Sequence, residues 1–218
     1  MTMQKCKICL VLFLAIIISG CSLFSRPPEP PDREEATIFS KKDIESLDIS
    51  IRTSYGKMLD VLGEPDNMQV VHEDYIDADI FYCSYDGIGE IRLAPYRQDA
   101  DSDGEKYIIT NISITGTNRC SVRGIQIGDD VDLVVSKFYV DKSISDEIVD
   151  DDRYLYIVRE REIYGKIHYD EKGRPESIGY FDTVYDADGA FTGEGYYLGF
   201  TISEGKVASY GISMRYEN

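Results

Sequence analysis

Two histidines, five cysteines and two short acidic loops are the residues of this 218-residue chain whose types and spacing suit chemistry. Histidine is the usual general base near neutral pH, because its proton is exchanged in that range. His72 and His168 both lie in stretches that read as strand or strand edge, among Val, Tyr and Glu. His168 alternates with Tyr164 and Lys166, which places it on a solvent-facing side, and neither histidine stands at a metal-ligand spacing. There is no Gly-x-Ser-x-Gly elbow, no phosphate-cradling glycine loop and no paired-cysteine zinc signature. With 40 Asp and Glu, close carboxylate pairs arise by chance and nominate no glycosidase site. The chain is expected to be non-catalytic.

The first acidic loop, Asp99-Ala100-Asp101-Ser102-Asp103-Gly104, has carboxylates at alternate positions and a glycine for the sharp turn, as a calcium loop begins. Position twelve would be a bidentate Glu and is Thr110, and the flanks read as strands. The loop reads either as a weak calcium site through Asp99, Asp101 and Asp103, or as a solvated turn. Asp186-Ala187-Asp188-Gly189 occupies a corresponding place later in the chain and is open to the same two readings, the turn being favoured.

Cys6 and Cys9 fall in an N-terminal segment with the features of an export signal. Lys5 and Lys7 make a positive start, Ile8 to Ile18 is apolar, and Ser19-Gly20 supplies small residues before Cys21. The apolar run is shorter than the roughly 20 residues that a membrane span needs. Ile18-Ser19-Gly20-Cys21 resembles the lipobox of bacterial lipoproteins. That resemblance implies that residues 1–20 are removed, that the Cys21 thiol receives a diacylglyceryl group, and that the protein is lipid-anchored in the bacterial cell envelope, outside the cytoplasm. In an exported protein Cys83 and Cys120 are then an even pair that can form a disulfide, with two unpaired thiols as the alternative.

The net charge of −17 argues against a nucleic-acid partner, which would call for clustered Lys and Arg. Loss of residues 1–20 removes two Lys and no acid, which leaves 21 basic against 40 acidic residues and a net charge of −19. A chain so acidic is repelled by anionic lipid, so the membrane attachment is expected to come from acyl chains and not from charge.

Four of the seven prolines fall in residues 27–31, a composition that favours an extended spacer. Residues 21–47 are read as a Pro-rich acidic tether, with a frayed helix around Ile44 and Leu47. After it the pattern repeats. Ser54 caps a helix carrying Met58, Leu59 and Leu62, and Gly63-Glu64-Pro65 stops it. Asp129 caps a second helix with Val131, Val134, Val135 and Phe138 on one stripe.

Strands follow each helix. Ile80–Tyr85 and Ile88–Leu93 flank Asp86-Gly87 as a hairpin, and 106–115 continues. In the second half, 154–158, 163–169, 176–181, 196–203 and 206–214 read as strands. The expected fold class is therefore α+β, with two tandem modules at 48–118 and 119–218. Each would be a short helical segment packed on an antiparallel sheet.

The segment from Tyr55 to Asp66, with its Leu62-Gly63-Glu64-Pro65 stop, resembles the helix of small outer-membrane assembly lipoproteins. Gly124-Ile-Gln-Ile-Gly-Asp-Asp-Val131 resembles the entry to the same helix. The related β-lactamase inhibitory proteins carry two such helix-on-sheet units in tandem. The resemblance implies that fold and a protein-binding role. The first copy lacks the Gly-x-x-x-Gly entry and the chain has no Trp, so no target is carried over. The 17 tyrosines, many in or beside expected strands, fit either sheet packing or a docking face. The sequence thus points to a lipid-anchored envelope protein that binds another protein, with a calcium- or small-ligand-responsive module using loop 99–105 as the alternative and a hydrolase whose site escapes motif reading as the less favoured one.

Overall fold

In the computed structural model, residues 36–45, 47–74, 76–96, 106–116, 121–144 and 150–216 are described, and all fall in one compact unit. The signal segment, Cys21, Asp99, Asp101, Asp103 and Cys120 lie outside the described residues.

Among the described residues, nine strands form one antiparallel sheet. They are β1 (Asn67–Glu73), β2 (Ala78–Tyr85), β3 (Gly89–Pro95), β4 (Tyr107–Ile114), β5 (Asp152–Val158), β6 (Ile163–Tyr169), β7 (Pro175–Tyr185), β8 (Phe191–Ser203) and β9 (Lys206–Tyr216). Their order is β1-β2-β3-β4-β9-β8-β7-β6-β5. Only three short α-helices accompany them among the described residues: α1 (Lys41–Glu45), α2 (Tyr55–Leu62) and α3 (Val131–Ser136).

This corrects the expected fold class. The chain is not two tandem modules of helix packed on sheet but one large sheet with a few short helical turns. The reason lies at β4 and β9. Each ends a meander, and alone each would be an edge with unpaired N–H and C=O groups. They pair with one another instead, Ile112 opposite Ile212 and Ile114 opposite Tyr210. The apolar side chains of the two meanders consequently merge in a single cluster, from Ile91 and Ile109 through Leu198 and Ile212 to Tyr180.

Local signals formed largely as expected. Ser54 is the N-cap of α2, its hydroxyl accepting from the Lys57 amide, and Gly63 (φ 79°) returns its N–H to the Leu59 carbonyl. The β2–β3 hairpin turns at Asp86-Gly87, and the β8–β9 hairpin turns at Glu204 and Gly205, both at positive φ. The cap of α3 is Asp130, not Asp129; the Asp129 carboxylate instead accepts from the Gln126 amide at 2.8 Å.

The tether boundary also moves. Phe39 and Ile44, placed in the spacer by the sequence, are fully buried. Phe39 packs on Phe138 and Tyr180, and its amide donates to the Tyr156 hydroxyl at 3.2 Å. Burying a Phe offsets the entropy of ordering this strap, so the folded part begins before residue 48.

Candidate functional site

Alternation along the strands sorts the sheet into a covered and an open face. On β8, Tyr196, Leu198, Phe200 and Ile202 are buried under the strap and helices, whereas Tyr197, Gly199 and Thr201 point the other way. Register carries this across the sheet. Gly179 of β7, Gly199 of β8 and Gly211 of β9 stand in one row, with Ser113 of β4 beyond. The Tyr197 ring lies across the first two glycines, since a Cβ on either would approach it to 2.6 Å.

Beside that row the open face is aromatic. Tyr154 of β5 meets Tyr164 of β6 edge-on at 6.3 Å, and Tyr164 meets Phe181 of β7 at 5.4 Å. Phe181 is the register partner of Tyr197. Tyr154 and Ile157 are exposed, and with Ile144, Arg159 and Glu162 they line a shallow depression of about 650 Å³. Of the tyrosines singled out by sequence, Tyr156, Tyr180 and Tyr196 belong to the core, and Tyr154, Tyr164 and Tyr197 to the open face.

Both histidines pair with an aspartate across a strand register, a relationship that spacing along the chain does not reveal. His72 Nδ1 is 3.0 Å from Asp79 Oδ1 and His168 Nδ1 is 3.0 Å from Asp152 Oδ1. Partial burial works against the Asp152 carboxylate, but hydrogen bonds from Lys166 (2.6 Å) and His168 outweigh it and hold the group below its ordinary range. The same hydrogen bond raises Lys166.

An imidazole oriented by a carboxylate is two-thirds of a nucleophilic triad. Its other nitrogen, however, faces Glu176 at 3.8 Å, and no hydroxyl or thiol bonds it among the described residues. No group of three or more His, Cys, Asp and Glu converges on a metal position among the described residues. Cys83 is buried as a free cysteine, and burial raises its thiol pKa.

Two arginines tie loops to the sheet. Arg52, at a left-handed φ of 73°, donates from Nη1 to both carboxylate oxygens of the buried Glu194 (3.2 and 3.1 Å) and from Nη2 to the Tyr96 hydroxyl. Arg123 holds the strap through the Asp43 carboxylate and the Thr37 and Ile38 carbonyls. Neither was singled out by sequence, because an arginine's partners are set by tertiary contact and leave no local pattern.

Compared with protein-family models, with characterised proteins and with solved structures, the chain matches none. On the β5–β8 part of the open face Tyr154 is exposed, Tyr164 and Tyr197 are partly exposed, and Phe181 is buried between them.

Proposed function

We propose that this chain is a lipid-anchored cell-envelope protein that binds another protein through the open face of its sheet, without catalysis. The supporting observation is the aromatic row Tyr154–Tyr164–Phe181–Tyr197. Tyrosine gives large contact area at low conformational cost and keeps a hydroxyl for the wet rim of an interface. A sheet presents such side chains from rigid elements, so little ordering entropy opposes binding. The Ile18-Ser19-Gly20-Cys21 sequence supports the anchor, and −19 on the mature chain keeps the folded part soluble near the membrane.

The experiment is recovery of bound proteins from envelope extract by the full chain and by a Tyr154→Ser/Tyr164→Ser variant. Both residues are partly exposed, so the variant should fold. Loss of a specific partner with the variant supports the reading; the same recovered set with both proteins contradicts it.

A further inference from the structure

The two edges of the sheet are treated differently. On β5 the register shifts between Tyr154 and Tyr156, and the Leu155 carbonyl takes a hydrogen bond from the Asp141 amide. A bulge and a covering segment are devices that stop a sheet from growing. The opposite edge, β1, has neither among the described residues. Its seven residues pair with β2 without a register shift, and no other described strand or loop pairs with its outer side. It carries no Lys, Arg or Pro, and Met68 and Val70 are about half exposed.

The charge around this edge is one-sided. Between Met58 and Ile91 the chain has nine Asp and Glu and no Lys or Arg. Asp74 and Asp77, at the end of β1, are almost fully exposed, and their contact is with the His72 imidazole. A second copy of this chain would bring acid against acid. A segment rich in Lys or Arg would find complementary charge.

We infer that β1 is a strand-addition site for an extended basic segment of a partner protein, which adds as a tenth strand. Backbone hydrogen bonds to the outer edge of β1 supply affinity, and alternate side chains supply selectivity. Apolar residues of the segment lie beside Met68 and Val70, which share one face because Met68 stands opposite Cys83 and Val70 opposite Phe81. Lys or Arg residues of the segment face Asp66 at one end of β1 and Glu73, Asp74 and Asp77 at the other. This site is separate from the aromatic open face and goes beyond the reading given above.

The probe is an eight-residue peptide of alternating Lys and Val, compared with the same peptide N-methylated at alternate backbone amides. N-methylation removes donors and keeps the charge. Titrated against the full chain at near-physiological salt with amide NMR detection, the unmodified peptide is expected to shift and protect β1 amides. The methylated peptide should bind at least tenfold more weakly, and Val70→Lys should weaken the unmodified peptide at least tenfold. Equal affinity for the two peptides would mean charge alone and would overturn the proposal. So would absence of binding at millimolar peptide, or self-association of the protein through β1.

Discussion

Arg123 grips Asp43 with a fork, Nε to Oδ1 at 2.7 Å and Nη2 to Oδ2 at 2.8 Å, and both side chains are largely buried. The same guanidinium donates to the carbonyls of Thr37, Ile38 and Lys137 and lies over the Phe138 ring at 4.3 Å. One side chain thus fastens the strap of residues 37–43 to the segment around α3. A planar five-donor group suits this and an ammonium does not.

Removing the guanidinium takes the counter-charge from the largely buried Asp43 carboxylate, which keeps the Ser40 amide, and one donor from each of three carbonyls. Arg123→Ala should cost about 3–5 kcal/mol, the range for breaking a buried pair from one side. Arg123→Lys should recover only part of that loss. Denaturant unfolding measures the cost, and faster exchange of the Phe39 amide would show that the strap is what loosens.

The His168–Asp152–Lys166 group gives a pH signature. The Asp152 pKa is lowered in the folded state, so its contribution is fully present above the unfolded value of about 3.9 and is lost as pH falls through the folded value. The stability gap between the wild type and Asp152→Asn should shrink as pH falls below 4. Urea midpoints across this range test it; a gap that widens on acidification would contradict the assignment.

Glycines of the open-face row should respond unequally. A methyl at Gly199 meets the Tyr197 ring at 2.6 Å, whereas a methyl at Gly211 meets nothing closer than the Ile112 carbonyl at 3.5 Å. Gly199→Ala should therefore destabilise by about 1–3 kcal/mol and displace the Tyr197 ring. Gly211→Ala should be neutral or slightly stabilising, because alanine loses less entropy in a strand. Thermal unfolding and the Tyr197 ring resonances distinguish the two.

The anchor makes a covalent prediction. The mature protein should begin at Cys21 with its thiol acylated, and Cys21→Ala should release it from membranes. Mass spectrometry of the N-terminus decides; an unmodified terminus elsewhere would contradict the lipid anchor.

Features that depend on neighbours a few residues away were legible in the sequence. Ser54 with Gly63 bounded α2, and Asp86-Gly87 marked the β2–β3 turn. β1 was read only as a strand or strand edge around His72, without bounds, because Asn67-Met-Gln-Val-Val-His-Glu73 lies at an edge, is exposed on most positions, and shows no alternation. The β4–β9 pairing, which turns two meanders into one sheet, joins residues about 100 apart and leaves no periodic trace. Phe39 did carry a signal, a lone aromatic in a charged stretch, but the nearby prolines outweighed it. Of the open face, the tyrosines were visible as candidates; which of them faced outward depended on register.

The central claim, that the aromatic open face contacts a partner protein in the envelope, is tested most directly by a photo-crosslinking residue placed at Tyr164 of the full chain in cells. A second position, Lys42 on α1, serves as the comparison. The account predicts a discrete crosslinked protein band from position 164, absent from position 42 and lost with Tyr154→Ser. Equal crosslinking from both positions, or none from position 164, would contradict it.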